Sequence, residues 1–119
     1  MKDSKKILIC DDMQMHLDYL RYILKKEGYK AEIAHNGLDA FDKVRTFAPD
    51  LILLDNLMPK MSGKELIEIL KKDIVYKSIP IIMFSACENE SYPVEAYMPK
   101  PIVVSDLLAK IKSLINKSE

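Results

Sequence analysis

Asp11 and Asp12 follow directly on the apolar run Ile7 to Cys10, and Asp55 follows directly on Leu51 to Leu54. Ser85 closes the stretch Pro80 to Phe84, and Lys100 stands just behind Tyr97-Met98-Pro99. Three carboxylates brought together repel one another, and partial burial raises the cost of keeping them charged. A divalent cation removes that conflict. Magnesium suits an all-oxygen site and keeps waters that a phosphate can displace. A lysine across such a site supplies positive charge and a serine supplies a hydroxyl donor. The set describes a pocket for a phosphoryl group, with one carboxylate available as nucleophile.

These residues can cooperate only if the fold brings their strand ends to one place. Lys6 to Cys10 reads as a first strand, followed by a helix from about Met13 to Glu27 with Leu17, Leu20, Ile23 and Leu24 on one face. Gly28 stops that helix where a left-handed residue is needed. Lys30 to Ala34 forms a second strand. Asn36-Gly37 turns into a helix carrying Ala40, Phe41 and Val44, and Pro49-Asp50 closes the unit. Leu51 to Leu54 is the third strand and Ser62 to Lys72 the next helix, with Leu66, Ile67 and Leu70 inward. Pro80 to Phe84 and Tyr97-Met98 make the fourth and fifth strands. Ser105 is placed to cap a last helix carrying Leu107, Leu108, Ile111, Leu114 and Ile115.

Strands alternating with helices at this pitch imply a parallel sheet covered on both faces. Strands buried on both sides read as unbroken aliphatic runs, which explains why Leu51 to Leu54 is so apolar immediately before an acid. The carboxyl ends of such strands share one edge, where open α/β sheets bind ligands. Asp11, Asp12, Asp55, Ser85 and Lys100 therefore converge on one rim.

The chain of 119 residues has the size of one domain, and we read residues 1–119 as a single unit. Its 18 basic and 18 acidic side chains balance, which argues against direct nucleic-acid binding or attraction to an anionic membrane. No run approaches the ~20 apolar residues of a membrane helix, and no signal-peptide pattern opens the chain, so a cytoplasmic location and no membrane insertion are expected. Cys10 and Cys87 lack metal-ligand spacing, and Cys10 reads as a small core residue. His16 and His35 lack a supporting ligand pattern and are expected to be exposed and without a role. The seven methionines read as gap-fillers.

The segments "ILICDD" (7–12), "DLILLDNLMPKMSG" (50–63), "PIIMFSA" (80–86) and "YMPKP" (97–101) together resemble the receiver domain of two-component response regulators. The resemblance covers nearly the whole chain. It implies a flavodoxin-like five-stranded parallel sheet of order 2-1-3-4-5. It implies further that Asp55 is the phosphoacceptor, that Asp12 binds Mg²⁺ directly and Asp11 largely through water, and that the Leu57 backbone carbonyl is another ligand. Lys100 would pair with phosphoryl oxygens, Ser85 would hydrogen-bond one of them, and Tyr97 would be the switch aromatic that turns inward as Ser85 moves. Pro59 and Gly63 would shape the loop behind the acceptor, and the Lys100-Pro101 bond is often cis in this family. The donor would be a sensor histidine kinase or phosphotransfer protein, with an unknown protein target downstream. No catalysis is expected beyond Mg²⁺-dependent self-phosphorylation and dephosphorylation at Asp55.

One stretch departs from that pattern. The segment between Ser85 and Lys100 is short for the family, and Pro93 with the polar run "CENES" (87–91) opposes a regular helix there. The fourth helix is therefore expected to be shortened or missing. That contraction keeps a second function open: a pseudo-receiver acting as a phosphorylation-independent interaction module. An aspartate-nucleophile phosphatase of the haloacid dehalogenase type is disfavoured, because Leu57 stands where that chemistry typically places a second aspartate.

Overall fold

Residues 4–55, 60–85 and 93–116 are described by a computed structural model, the side chains of Ser85 and Asn116 excepted. The elements run β1 (Lys6–Cys10), α1 (Gln14–Lys26), β2 (Lys30–Ala34), α2 (Gly37–Phe47), β3 (Leu51–Asp55), α3 (Gly63–Lys72), β4 (Ile81–Ser85), β5 (Ala96–Pro99) and α4 (Val104–Asn116). All four strand pairings are parallel, in the order β2-β1-β3-β4-β5. The parallel sheet is the one the alternation implied, and its order is the flavodoxin-like one that the resemblance implied.

Side chains along a strand point to opposite faces with a period of two, so each strand divides its residues between two cores. Ile7, Ile9, Leu51, Leu53, Ile82 and Phe84 join Leu17, Leu20 and Leu24 of α1 and Leu107, Ile111 and Ile115 of α4. Leu8, Cys10, Ile52, Leu54, Ile81 and Met83 join Ala40 and Val44 of α2 and Leu66, Ile67 and Leu70 of α3. β3 lies at the centre of the sheet, and Leu51 to Leu54 are all fully buried. Each such leucine or isoleucine contributes about 1.5–3 kcal/mol of transfer free energy. Central burial on both faces thus accounts for the uninterrupted aliphatic run.

Helix ends follow local chemistry in three places. Gly28 takes φ +93° and closes α1, as its position in the sequence suggested. The Asn36 side chain accepts the Asp39 N–H at 2.8 Å and starts α2. Ser62 and Glu65 form a reciprocal capping box at α3, satisfying donors that the first turn leaves open. The last helix corrects the sequence reading. α4 begins at Val104, with the Leu107 N–H bonded to the Val103 carbonyl, so Ser105 lies inside the first turn and is not its cap. Burial of Leu107, Ile111 and Ile115 along one stripe sets where this helix starts, in place of a side-chain cap.

Ala48 ends α2 with φ 52°, ψ 63°, a left-handed conformation on an exposed alanine. That conformation costs an L-residue about 1–2 kcal/mol, whereas glycine adopts it freely. Glycine also frees the unfolded chain by about 0.4–1 kcal/mol, which offsets part of the gain. Ala48→Gly should raise stability by about 0.5–1 kcal/mol in urea titration. An unchanged or lower midpoint would contradict the strain assigned to this cap.

The crossover from β4 to β5 spans residues 86–95. The expected loss or shortening of the fourth helix falls on residues 86–92, which lie outside the described residues, as do Leu57, Pro59 and Cys87. Among the described residues no helix stands between β4 and β5. Glu95 secures the far end of this connection. Its carboxylate accepts the Ile81 N–H at 2.8 Å and meets Lys71 Nζ at 3.3 Å, while its own N–H bonds the Ile81 carbonyl at 3.0 Å.

Candidate phosphoryl and metal site

The sheet order is what assembles the site. β1 and β3 are neighbours, and their ladder ends with Cys10 opposite Leu54. One residue further along each strand are Asp11 and Asp55, which share the parity of Ile9 and Leu53 and so fall towards the α1/α4 side. Both are only 4% exposed. Asp12, the next residue, is exposed at the rim. One carboxylate oxygen from each of Asp11, Asp12 and Asp55 lies within 4.8 Å of the others.

Lys100 reaches this cluster from beyond β5. Its Nζ donates to Asp55 Oδ2 at 3.0 Å, across a sequence separation of 45 residues. The Lys100-Pro101 peptide is cis, as the resemblance suggested. Asp11 is held on both oxygens: Oδ1 accepts the Met13 N–H at 3.0 Å, and Oδ2 lies 3.2 Å from His16 Nδ1. Burial raises the Asp11 pKa, and the nearby Asp55 charge adds to that rise; the Met13 N–H and His16 oppose it. Next door, burial pushes the Cys10 thiol far up, so Cys10 is an inert core residue, as expected.

The sequence reading thus placed Asp11, Asp12, Asp55 and Lys100 correctly at one rim. Ser85 ends β4 opposite Pro99, at the same edge, though its side chain is outside the described set. Tyr97 lies in β5 opposite Met83 and is 41% exposed. His16 is the residue that sequence reasoning missed. It was read as having no role, yet it contacts Asp11 and, with Lys100, Tyr19 and Phe84, borders an open groove of about 460 Å³ beside the acids. Its place in the first turn after the acid pair was the available signal. His35, the other histidine, pairs through Nε2 with Gln14 Oε1 at 2.5 Å.

An open parallel sheet with buried acids and a lysine at its carboxyl edge is the arrangement of a doubly wound α/β domain that binds its ligand at that edge. The sequence profile described as "Response regulator receiver domain" matches residues 7–112, and the chain belongs to that family. Response regulator MprA of Mycobacterium bovis is 31% identical over 98% of the chain and 53% of MprA itself. The chain therefore spans about half the length of the curated relatives it matches. Among solved structures, the signal receiver domain of a signal transduction histidine kinase from Syntrophus aciditrophicus superposes with a TM-score of 0.86 at 29% identity, covering 96% of this chain and 92% of that one. The receiver domain of sensor histidine kinase PA1611 from Pseudomonas aeruginosa, with a magnesium ion coordinated in its active-site cleft, shares the fold at TM-score 0.88 and 19% identity, over 95% of this chain and 98% of that one. No helix among the described residues is long and apolar enough to cross a membrane.

Proposed function

We propose that this receiver domain takes a phosphoryl group onto Asp55 from a phosphohistidine of a sensor histidine kinase or phosphotransfer protein. The observation that carries this reading is Asp55 itself: a buried carboxylate at the end of the central strand, flanked by Asp11 and Asp12 and paired with Lys100. A carboxylate oxygen of Asp55 attacks phosphorus as the P–N bond to the donor imidazole breaks, and an acyl phosphate forms. Lys100 follows the charge from the free carboxylate to the phosphoryl oxygens.

Asp11, Asp12 and Asp55 would hold Mg²⁺, with the Leu57 carbonyl as a further ligand. The fit rests on the donors. They are all oxygen and lie within 4.8 Å of one another. Mg²⁺–oxygen bonds of about 2.0–2.1 Å put opposite ligands about 4.2 Å apart, so a small rotation of the exposed Asp12, or one bridging water, closes the set on a single ion. Bound there, Mg²⁺ supplies neutralising charge for the attack of one anion on another. Ser85 would donate to a phosphoryl oxygen, and Tyr97 would then turn inward, shifting a two-state equilibrium read by a downstream protein. Residues 1–119 would act in this as one domain, in the cytoplasm where such kinases work.

Intact-mass analysis after incubation with acetyl phosphate tests the reading. Wild type should gain one phosphoryl adduct only with Mg²⁺, and Asp55→Asn should gain none. An adduct that persists in Asp55→Asn would remove Asp55 as acceptor. Wild type that neither gains the adduct nor binds beryllofluoride would point to the phosphorylation-independent module.

A further inference from the structure

Among the described contacts of Asp11, His16 is the side chain that α1 contributes. Asp11 is almost fully buried, whereas the His16 side chain is about half exposed. Burial leaves a carboxylate few partners, and an unanchored one can rotate towards whichever charge or donor lies nearest. Here each oxygen has a separate partner. The backbone N–H of Met13 fixes Oδ1, and the ring of His16 fixes Oδ2. The first restraint is part of the turn into α1 and survives any side-chain change. The second depends on residue 16 alone.

Direct metal ligation by His16 fits less well. The ligand set whose atoms lie mutually within 4.8 Å contains Asp11, Asp12 and Asp55, and His16 is outside it. Its ring touches the cluster through Asp11. Groups that hydrogen-bond a ligating carboxylate orient it and tune its basicity, and their loss typically weakens metal binding 10–100-fold.

We propose that His16 is a positioning residue for the divalent-cation site, donating from Nδ1 to Asp11 Oδ2 and thereby holding Asp11 in its cation-ready orientation. The proposal rests on the metal reading given above and adds a residue to it. Asp11 keeps lone pairs on both oxygens for a cation or its waters, while the two donors stop the carboxylate from rotating. His16 and Asp11 line the same groove, together with Tyr19 and Lys100, so the ring that orients Asp11 also forms part of the wall beside it.

The test is a Mg²⁺ titration by calorimetry on wild type, His16→Leu and His16→Asn, with Asp12→Asn as a control for the site. Asparagine places an amide N–H close to where the imidazole Nδ1 stands, whereas leucine keeps the bulk and removes the donor. His16→Leu should bind Mg²⁺ about 10-fold more weakly. His16→Asn should stay close to wild type. Thermal melts without metal should show all three folded, with similar midpoints, because residue 16 is half exposed. Equal affinity in all three proteins would overturn the positioning role. So would His16→Asn binding as weakly as His16→Leu, since the donor would then be irrelevant. Wild type that binds no Mg²⁺, or binds it as Asp12→Asn does, would instead remove the underlying metal site and this role with it.

Discussion

Gly37→Ala should lose about 1–3 kcal/mol of stability despite placing a better helix former in α2. Gly37 is the first residue of α2 and packs against Met61, in the segment that leads from β3 into α3. A Cβ built on Gly37 would overlap the Met61 carbonyl oxygen and Met61 Cβ, and would lie 2.7 Å from the Met61 carbonyl carbon. Two of those atoms are backbone, so no rotamer change relieves the overlap. Helix propensity alone favours alanine over glycine by up to about 1 kcal/mol, and less at a terminus. The overlap dominates because Met61 can retreat only by moving its own backbone, which leads directly into the capped start of α3. Urea titration of Gly37→Ala measures the balance. A variant as stable as wild type would mean that this segment yields without cost.

Asp11→Asn should act in the opposite direction and unfold later than wild type when no divalent cation is added. Asp11 combines nearly complete burial with a neighbouring Asp55, and both disfavour its charged form. Asparagine keeps an acceptor for the Met13 N–H and removes the charge. A gain of about 3–5 °C, on the order of 1 kcal/mol for a chain of this length, is expected at neutral pH. The pH dependence gives the effect a sign that can be checked. The folded-state pKa of Asp11 lies above the ordinary value of 3.8. Between those two values the folded protein holds a proton that the unfolded chain has released, so stability falls as pH rises through that window. Above both values the full penalty is present, and below both it vanishes. The advantage of Asp11→Asn should therefore be largest near pH 7 and should disappear below the ordinary aspartate value. Added Mg²⁺ should reverse the order, since a cation that binds only the folded state stabilises wild type more than a variant lacking one carboxylate. An Asp11→Asn protein less stable than wild type in chelator at pH 7 would contradict the cost assigned to this buried acid.

Much of this was legible in the chain itself because it depends on neighbours in sequence. Unbroken apolar runs reported strands buried on two faces. Gly28 reported the end of α1, and Asn36-Gly37 the turn into α2. Ser105 misled because a hydroxyl near a helix start is a local signal, while the start of α4 was fixed by which of its residues reach the core. The acids at the ends of β1 and β3 could be recognised as partners only through the alternation of elements, which implied parallel strands with a shared edge.

Tertiary structure decided the rest. Asp11 stands beside Asp55 because β3 pairs directly with β1 in a register ending at Cys10 and Leu54. Lys100 reaches Asp55 because only β4 lies between β3 and β5. Gly37 must be glycine-sized because Met61 arrives from a different βα unit. For His16, five residues from Asp11, the sequence offered only its place in the first turn after the acids; its reach to Asp11 depends on how α1 is rotated over the sheet by Leu17, Leu20 and Leu24. Periodicity within a segment fixes what that segment becomes and which face it buries. The distances between reactive atoms of different segments are set by strand order, register and helix rotation, which are properties of the packed whole.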